Sequence, residues 1–221
     1  MNKYAHTPAH SARQNYLKLS GLLFAFFWTW SSAFSLISLW LNQKVGLRGA
    51  DTGIIFSIIS LTAFFAQPIY GFIQDKLGLR KNLLWCIGVL LLLSGPWFIF
   101  VGTPLLRWNM FLGAFSVGVY VGATFFAGIG VLESYTERVS RITGFEYGKA
   151  RMWGSLGWAG ATFFAGMLFN IDPNLNFWMA CVSASVFLLL LWRLTDIKPP
   201  AMGELVYGKS NGLTVADAIV L

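Results

Sequence analysis

The sequence predicts an all-α protein embedded in a membrane, with six helices crossing the bilayer. Three observations carry this reading. Charged residues make up only 11% of the 221 positions and hydrophobic ones 56%, whereas a soluble domain carries about 25% charge. Mean hydropathy is +0.62. Asp, Glu, Lys and Arg are also absent from six long windows, each able to cross a hydrocarbon core about 30 Å thick at about 1.5 Å per residue.

The first window, 19–43, follows a polar, basic tail over 1–18 and is too long for the apolar core of a cleavable signal, about 7–15 residues. The second, 52–74, ends in a basic turn. The third, 82–106, closes on Gly102, Thr103 and Pro104, with Arg107 marking a tight outer connection to the fourth, 108–132. Between the fourth window and the fifth, 152–171, lies a long inner connection from Glu133 to Arg151 that carries seven charges. Asp172, Pro173 and Asn174 turn the chain into the sixth, 173–192. The domain reading is therefore a cytoplasmic tail over 1–18 and a six-helix bundle over 19–194. Residues 195–221 read as a cytoplasmic linker and the start of a further unit, because 214–221 reads as an amphipathic helix just opening.

Charge sets the orientation. Thirteen of the 16 basic residues share the side of the N-terminus: Lys3, Arg13, Lys18, Lys76, Arg80, Lys81, Arg138, Arg141, Lys149, Arg151, Arg193, Lys198 and Lys209. Only Lys44, Arg48 and Arg107 fall opposite. Positive loops stay in the cytoplasm, so both termini are expected inside. The net charge of +7 then reflects topology and attraction to the lipid bilayer, and no nucleic-acid partner is expected. Cys86 and Cys181 lie in apolar runs and read as small hydrophobes. His6 and His10, the only histidines, sit in the polar tail, so no metal site, cofactor or His-based triad is expected in the membrane. A six-span enzyme lacks its reactive set, and a channel subunit would need a repeated polar stripe along one helix.

The most specific local signal is Gly71, Asp75, Lys76, Gly78 and Arg80, placed between the second and third windows. A tight turn suits them: Gly71 lets two helices approach, Asp75 caps or pairs with a base, and Gly78 takes positive φ. This order resembles the inner-loop signature of the major facilitator superfamily, which implies the N-terminal, truncated six-helix bundle of that fold. Gly118 and Gly122 form a small-xxx-small pair suited to close helix crossing. Glycines of the fourth and fifth windows are read as packing.

Charges at the edges of these windows point to a site. Glu133 follows the fourth and Arg151 opens the fifth, with Trp158 seven residues on, about 10 Å along one helix face. Carboxylate and guanidinium grip hydroxyls in forks, and an indole stacks on the apolar side of a pyranose. The competing reading is interface charge, since ionisable groups inside a bilayer are costly, about 3 kcal/mol each on insertion scales.

Glu133-Ser-Tyr-Thr-Glu-Arg-Val-Ser-Arg141, then Gly144-Phe-Glu-Tyr-Gly-Lys-Ala-Arg151-Met-Trp-Gly154 and Gly157-Trp158, resemble the lactose permease family of oligosaccharide–proton symporters. Asp51 to Phe56 and Gln67-Pro68 match it too, and the resemblance covers about residues 17–195. It implies uptake of a disaccharide or oligosaccharide with protons across the bacterial inner membrane. It also implies that Glu133 and Arg151 form the sugar-contacting pair and that Trp158 stacks on the sugar. The proton-carrying residues are expected in a second, C-terminal half as partner, so the chain alone is expected to be inactive. The first window departs from the pattern. Ser35 and Ser38 stand where the pattern has prolines, and Trp30 stands where it has a smaller apolar residue lining the sugar site. Residues 74–79 and 84–86 lean toward the sucrose-transporting members, which leaves the sugar open. The alternatives are a six-span membrane subunit or a major facilitator transporter for a non-sugar solute.

Overall fold

A computed structural model describes residues 9–195, with side chains from residue 12. The tail before residue 9, and everything from 196 on, including the linker and the amphipathic segment 214–221, lie outside the described residues. Six helical rods fill the described chain: α1 Ala12–Val45, α2 Gly49–Leu77, α3 Asn82–Trp108, α4 Met110–Thr143, α5 Tyr147–Ile171 and α6 Leu175–Arg193. Among the described residues there is no strand. Five of the rods are long and apolar enough to cross a membrane by length and composition. The fifth, α5, has the length, 25 residues, but glycines at 148, 154, 157, 160 and 166 dilute its apolar content.

The inner connection differs from expectation. Helix α4 runs on to Thr143 and α5 begins at Tyr147, so the long charged loop shrinks to a turn at Gly144, whose φ is +79°. The charges that read as loop are helix-compatible once paired: Arg141 lies 2.6 Å from Glu137 one turn before it. The signature after α2 is also more helical than a loop. Gly71, Asp75 and Lys76 all belong to α2, and only at Gly78, with φ +60°, does the chain turn. Asp75 pairs with Arg138 of α4, Lys76 sits 4.4 Å over the Phe72 ring and Arg80 is exposed. Gly71 does not bring two helices together. A Cβ built there meets no atom within 4 Å.

Other glycines do close the bundle. A Cβ at Gly118 would lie 2.5 Å from Ile58 Cγ2, and one at Gly122 2.7 Å from the Ile59 carbonyl, so α4 crosses α2 backbone to backbone. At Gly157 a Cβ would strike the Phe24 carbonyl, which presses α5 onto α1. Ser183 of α6 donates to the Ala25 carbonyl of α1 at 2.9 Å. Helix α1 is thus central, packed on α5, α6 and the end of α4, while α2 pairs with α4 and α3 with α6.

Three rods carry wide, i→i+5 turns: Leu41–Val45, Phe98–Gly102 and Gly122–Ala127. Such turns occur often at functional sites because they re-aim side chains. Helix α1 also breaks at Ser35–Leu36 before resuming at Ile37, although serines stand there. The prolines at 68 and 96 lie inside unbroken helices.

The two ends of the bundle sort as the charge pattern predicts. At one end Lys44 pairs with Asp172 at 3.4 Å, Arg107 donates to the Lys44 carbonyl, and Trp40 Nε1 donates to Asn174 at 3.1 Å. At the other, Asp75 meets Arg138 and Lys81 donates to the Leu194 carbonyl at 2.6 Å. Both cysteines are free thiols, Cys181 donating to the Leu92 carbonyl at 3.3 Å.

Candidate functional site

Glu133 sits in the last third of α4 and Arg151 in the second turn of α5. The short Gly144 turn folds the two helices back on each other, so residues 18 apart in sequence meet. Arg151 Nε donates to Glu133 Oε1 at 2.5 Å. Each side chain keeps 32% of its surface exposed, so the pair is neither sealed in the core nor free in solvent. It has a third member that the sequence reading missed. Phe27 of α1 lies against the guanidinium, its ring centroid 4.3 Å from Cζ, a cation–π contact.

Phe27 also links the pair to the indoles. Its centroid lies 5.8 Å from Trp30 and 6.4 Å from Trp158, and Trp30 meets Trp158 edge-to-face at 5.3 Å. The wide turn Gly122–Ala127 of α4 supplies Phe126, edge-to-face on Trp30 at 4.8 Å, and Phe125, stacked at 6.4 Å. The five rings form a continuous aromatic wall beginning at Arg151. Within it Trp30 Nε1 is buried without a hydrogen-bond partner. Such a donor costs free energy unless a ligand or water accepts from it.

Polar side chains fix the wall from behind. Ser31 Oγ donates to the Trp158 carbonyl at 3.1 Å and lies 2.8 Å from Thr162 Oγ1, which reaches the same carbonyl at 2.9 Å. Gln67 Nε2 donates to the Phe126 carbonyl at 3.2 Å, which satisfies backbone in the wide turn. Gly154 leaves room for the Phe27 ring, since a Cβ there would lie 2.6 Å from Phe27 Cδ2.

Glu133 lines a space of about 270 Å³ between α2 and α4, but Arg151, Trp158 and Trp30 are not among its lining residues. Phe27 was findable: it lies three residues before Trp30, on one helix face. Phe125 and Phe126 carried no such signal, since a wide turn sets their direction.

The sequence profile of the LacY proton/sugar symporter family matches residues 9–211. The chain belongs to that family. Among LacY-family relatives, the raffinose permease of Escherichia coli is 50% identical over 169 residues, 76% of this chain and 40% of the relative. The melibiose permease of Enterobacter cloacae is 47% identical over 178 residues, 80% of this chain and 42% of the relative. The sucrose permease of Escherichia coli is 43% identical over 182 residues, 80% of this chain and 43% of the relative. The chain therefore spans about two fifths of the length of these LacY-family permeases. Membership in a family of transporters, together with the apolar rods, makes this a multi-pass membrane protein.

Proposed function

We propose that this chain forms the N-terminal, sugar-facing half of a proton-coupled disaccharide or oligosaccharide transporter of the bacterial inner membrane, with both termini in the cytoplasm. The observation that carries the reading is the Glu133–Arg151 pair at the edge of the Trp30–Trp158 wall. A carboxylate and a guanidinium accept and donate to neighbouring hydroxyls, while the indole faces cover the C–H side of a pyranose. Trp30 Nε1 is the free donor of that wall and the substitution that sets its sugar preference apart. The relatives named raffinose, melibiose and sucrose permease bracket the substrate class.

Alternating access needs two bundles rocking about a central site. The matched relatives are more than twice as long as their match to this chain, so a second six-helix unit is the partner we assign. The six rods satisfy their own backbone, so the chain inserts without it. The test compares accumulation of labelled disaccharide in cells making the chain alone and in cells also supplied with the second half of a relative. Accumulation is expected only with the second half. Accumulation by the chain alone refutes the half-transporter reading, and none in either case favours a non-sugar solute.

A further inference from the structure

We propose that the notch between α2 and α4, on the far side of Glu133 from Arg151, is a second sugar subsite that receives one more pyranosyl ring of the substrate. This rests on the sugar reading of the Glu133–Arg151 pair and extends it to a surface that meets the pair only through Glu133.

The notch has a clear mechanical origin. Helices α2 and α4 touch backbone to backbone at Gly118 and Gly122. Further along they are tied within the wide turn by Gln67 donating to the Phe126 carbonyl and nearer the helix ends by Asp75 pairing with Arg138. Eight residues of α2 separate these ties, about 12 Å of helix. Between them the helices part around a space of about 270 Å³. Drug-sized ligands occupy about 300 Å³ or more, so this volume suits one ring and not a whole oligosaccharide.

Its lining reads as a built surface. Helix α2 contributes Gln67, Tyr70, Gly71 and Gln74, at i, i+3, i+4 and i+7, a single helical face. Helix α4 contributes Glu133 and Ser134 together with Gly130. Gln74 is 1% exposed. Its Nε2 donates to the Gly78 carbonyl at 2.8 Å, but its Oε1 has no partner. An acceptor buried at the wall of a polar space is costly unless something there donates to it. A hydroxyl does so.

The two glycines supply a second, independent observation. A Cβ built on Gly71 or on Gly130 meets nothing within 4 Å, so neither residue is kept small by a neighbouring helix. Each costs helix stability relative to alanine. Both line the notch, one from each helix, and both leave its wall bare for a ligand.

The chemistry selects a neutral polyol. The only charged side chain in the lining is Glu133, and its Oε1 is already engaged by Arg151. The remaining polar groups are amides and hydroxyls, which exchange hydrogen bonds with sugar hydroxyls in both directions. Glu133 borders the pair on one side and the notch on the other, so a glycosidic bond beside it places one ring on each.

The experiment uses the chain assembled with the second half of a relative in lipid nanodiscs and measures binding of a methyl hexoside and of a disaccharide by equilibrium dialysis. The parent is expected to bind the disaccharide more tightly. Gly71→Leu and Gly130→Leu, which fill the notch, and Gln74→Leu, which removes its amide, should each cut the disaccharide-to-hexoside affinity ratio at least about fivefold, the scale of one hydrogen bond, with hexoside affinity unchanged. Gly130→Ala, which favours the helix, guards against misfolding; it should lower the ratio while raising the thermal midpoint. Variants that keep the parent's ratio overturn the subsite and leave the pair's sugar reading intact. A parent that binds neither sugar overturns both.

Discussion

The guanidinium of Arg151 is held between two groups of different kinds, the carboxylate of Glu133 at 2.5 Å and the ring of Phe27 at 4.3 Å. The carboxylate sets its direction and the ring fixes its plane, so the fork edge not turned to Glu133 is left in a defined place. A lysine there would keep the charge and lose both the fork and the plane.

Arg151→Ala is therefore expected to weaken sugar binding by about 10- to 100-fold, the loss of one or two charged hydrogen bonds. Arg151→Lys should recover little of it. Phe27→Leu keeps the bulk but removes the cation–π contact, about 0.5–2 kcal/mol, and should cost about tenfold. Binding by equilibrium dialysis at fixed ionic strength measures all three.

Two glycines on α5 are expected to behave oppositely. Gly157→Ala drives a methyl group into the Phe24 backbone, which cannot move aside, so it should destabilise the bundle by about 1–3 kcal/mol. Gly166→Ala enters open space and should stabilise it by up to about 1 kcal/mol. Thermal unfolding midpoints in detergent separate the two.

Asp172, in the turn between α5 and α6, has its carboxyl held below the usual carboxylate range, first by the Asn174 backbone N–H and then by Lys44. A depressed folded pKa gives a contribution that is full above the unfolded value, about 3.9. It is lost as pH falls through the folded value. Asp172→Asn should thus lower the unfolding midpoint slightly at neutral pH, and the difference should vanish in strong acid. A difference that persists there would argue against this clasp.

A reporter active only outside the cytoplasm, fused after Arg107 or Asp172, should be active, and after Lys81 or Trp192 silent. The bundle already places Lys44, Arg107 and Asp172 at one end, opposite Asp75, Lys81 and Arg138. The fusions decide which compartment each end faces.

Much of the fold was legible because lipid forbids charge over a whole helix length, so six charge-free windows mark six rods. The true length of α4 was not. Glu137, Arg138 and Arg141 read as loop, and only their pairing, with Asp75 and with each other, shows that they can extend a helix. Glu133, Arg151 and Trp158 stood out through the resemblance of the motif that holds them, since charge at a span edge alone reads equally well as interface charge. The rest of the wall was hidden by an ambiguity peculiar to membranes. Phe125–Phe126 turn inward while Phe163–Phe164 are 66% and 47% exposed, yet both pairs look alike in sequence, since lipid and core are equally apolar. Gly71 misled for a related reason: glycine serves close packing and open cavities equally well, and only geometry tells them apart.

The most direct measurement is binding of a labelled disaccharide to the chain assembled with the second half of a relative, for the parent, Trp158→Phe and Trp158→Ala. If the wall stacks on sugar, Phe keeps a ring face and loses a few-fold, while Ala loses at least about tenfold, because a stacking face is removed. Equal affinity for all three would mean that the Trp158 wall only packs the bundle, and that the Glu133–Arg151 pair is interface charge.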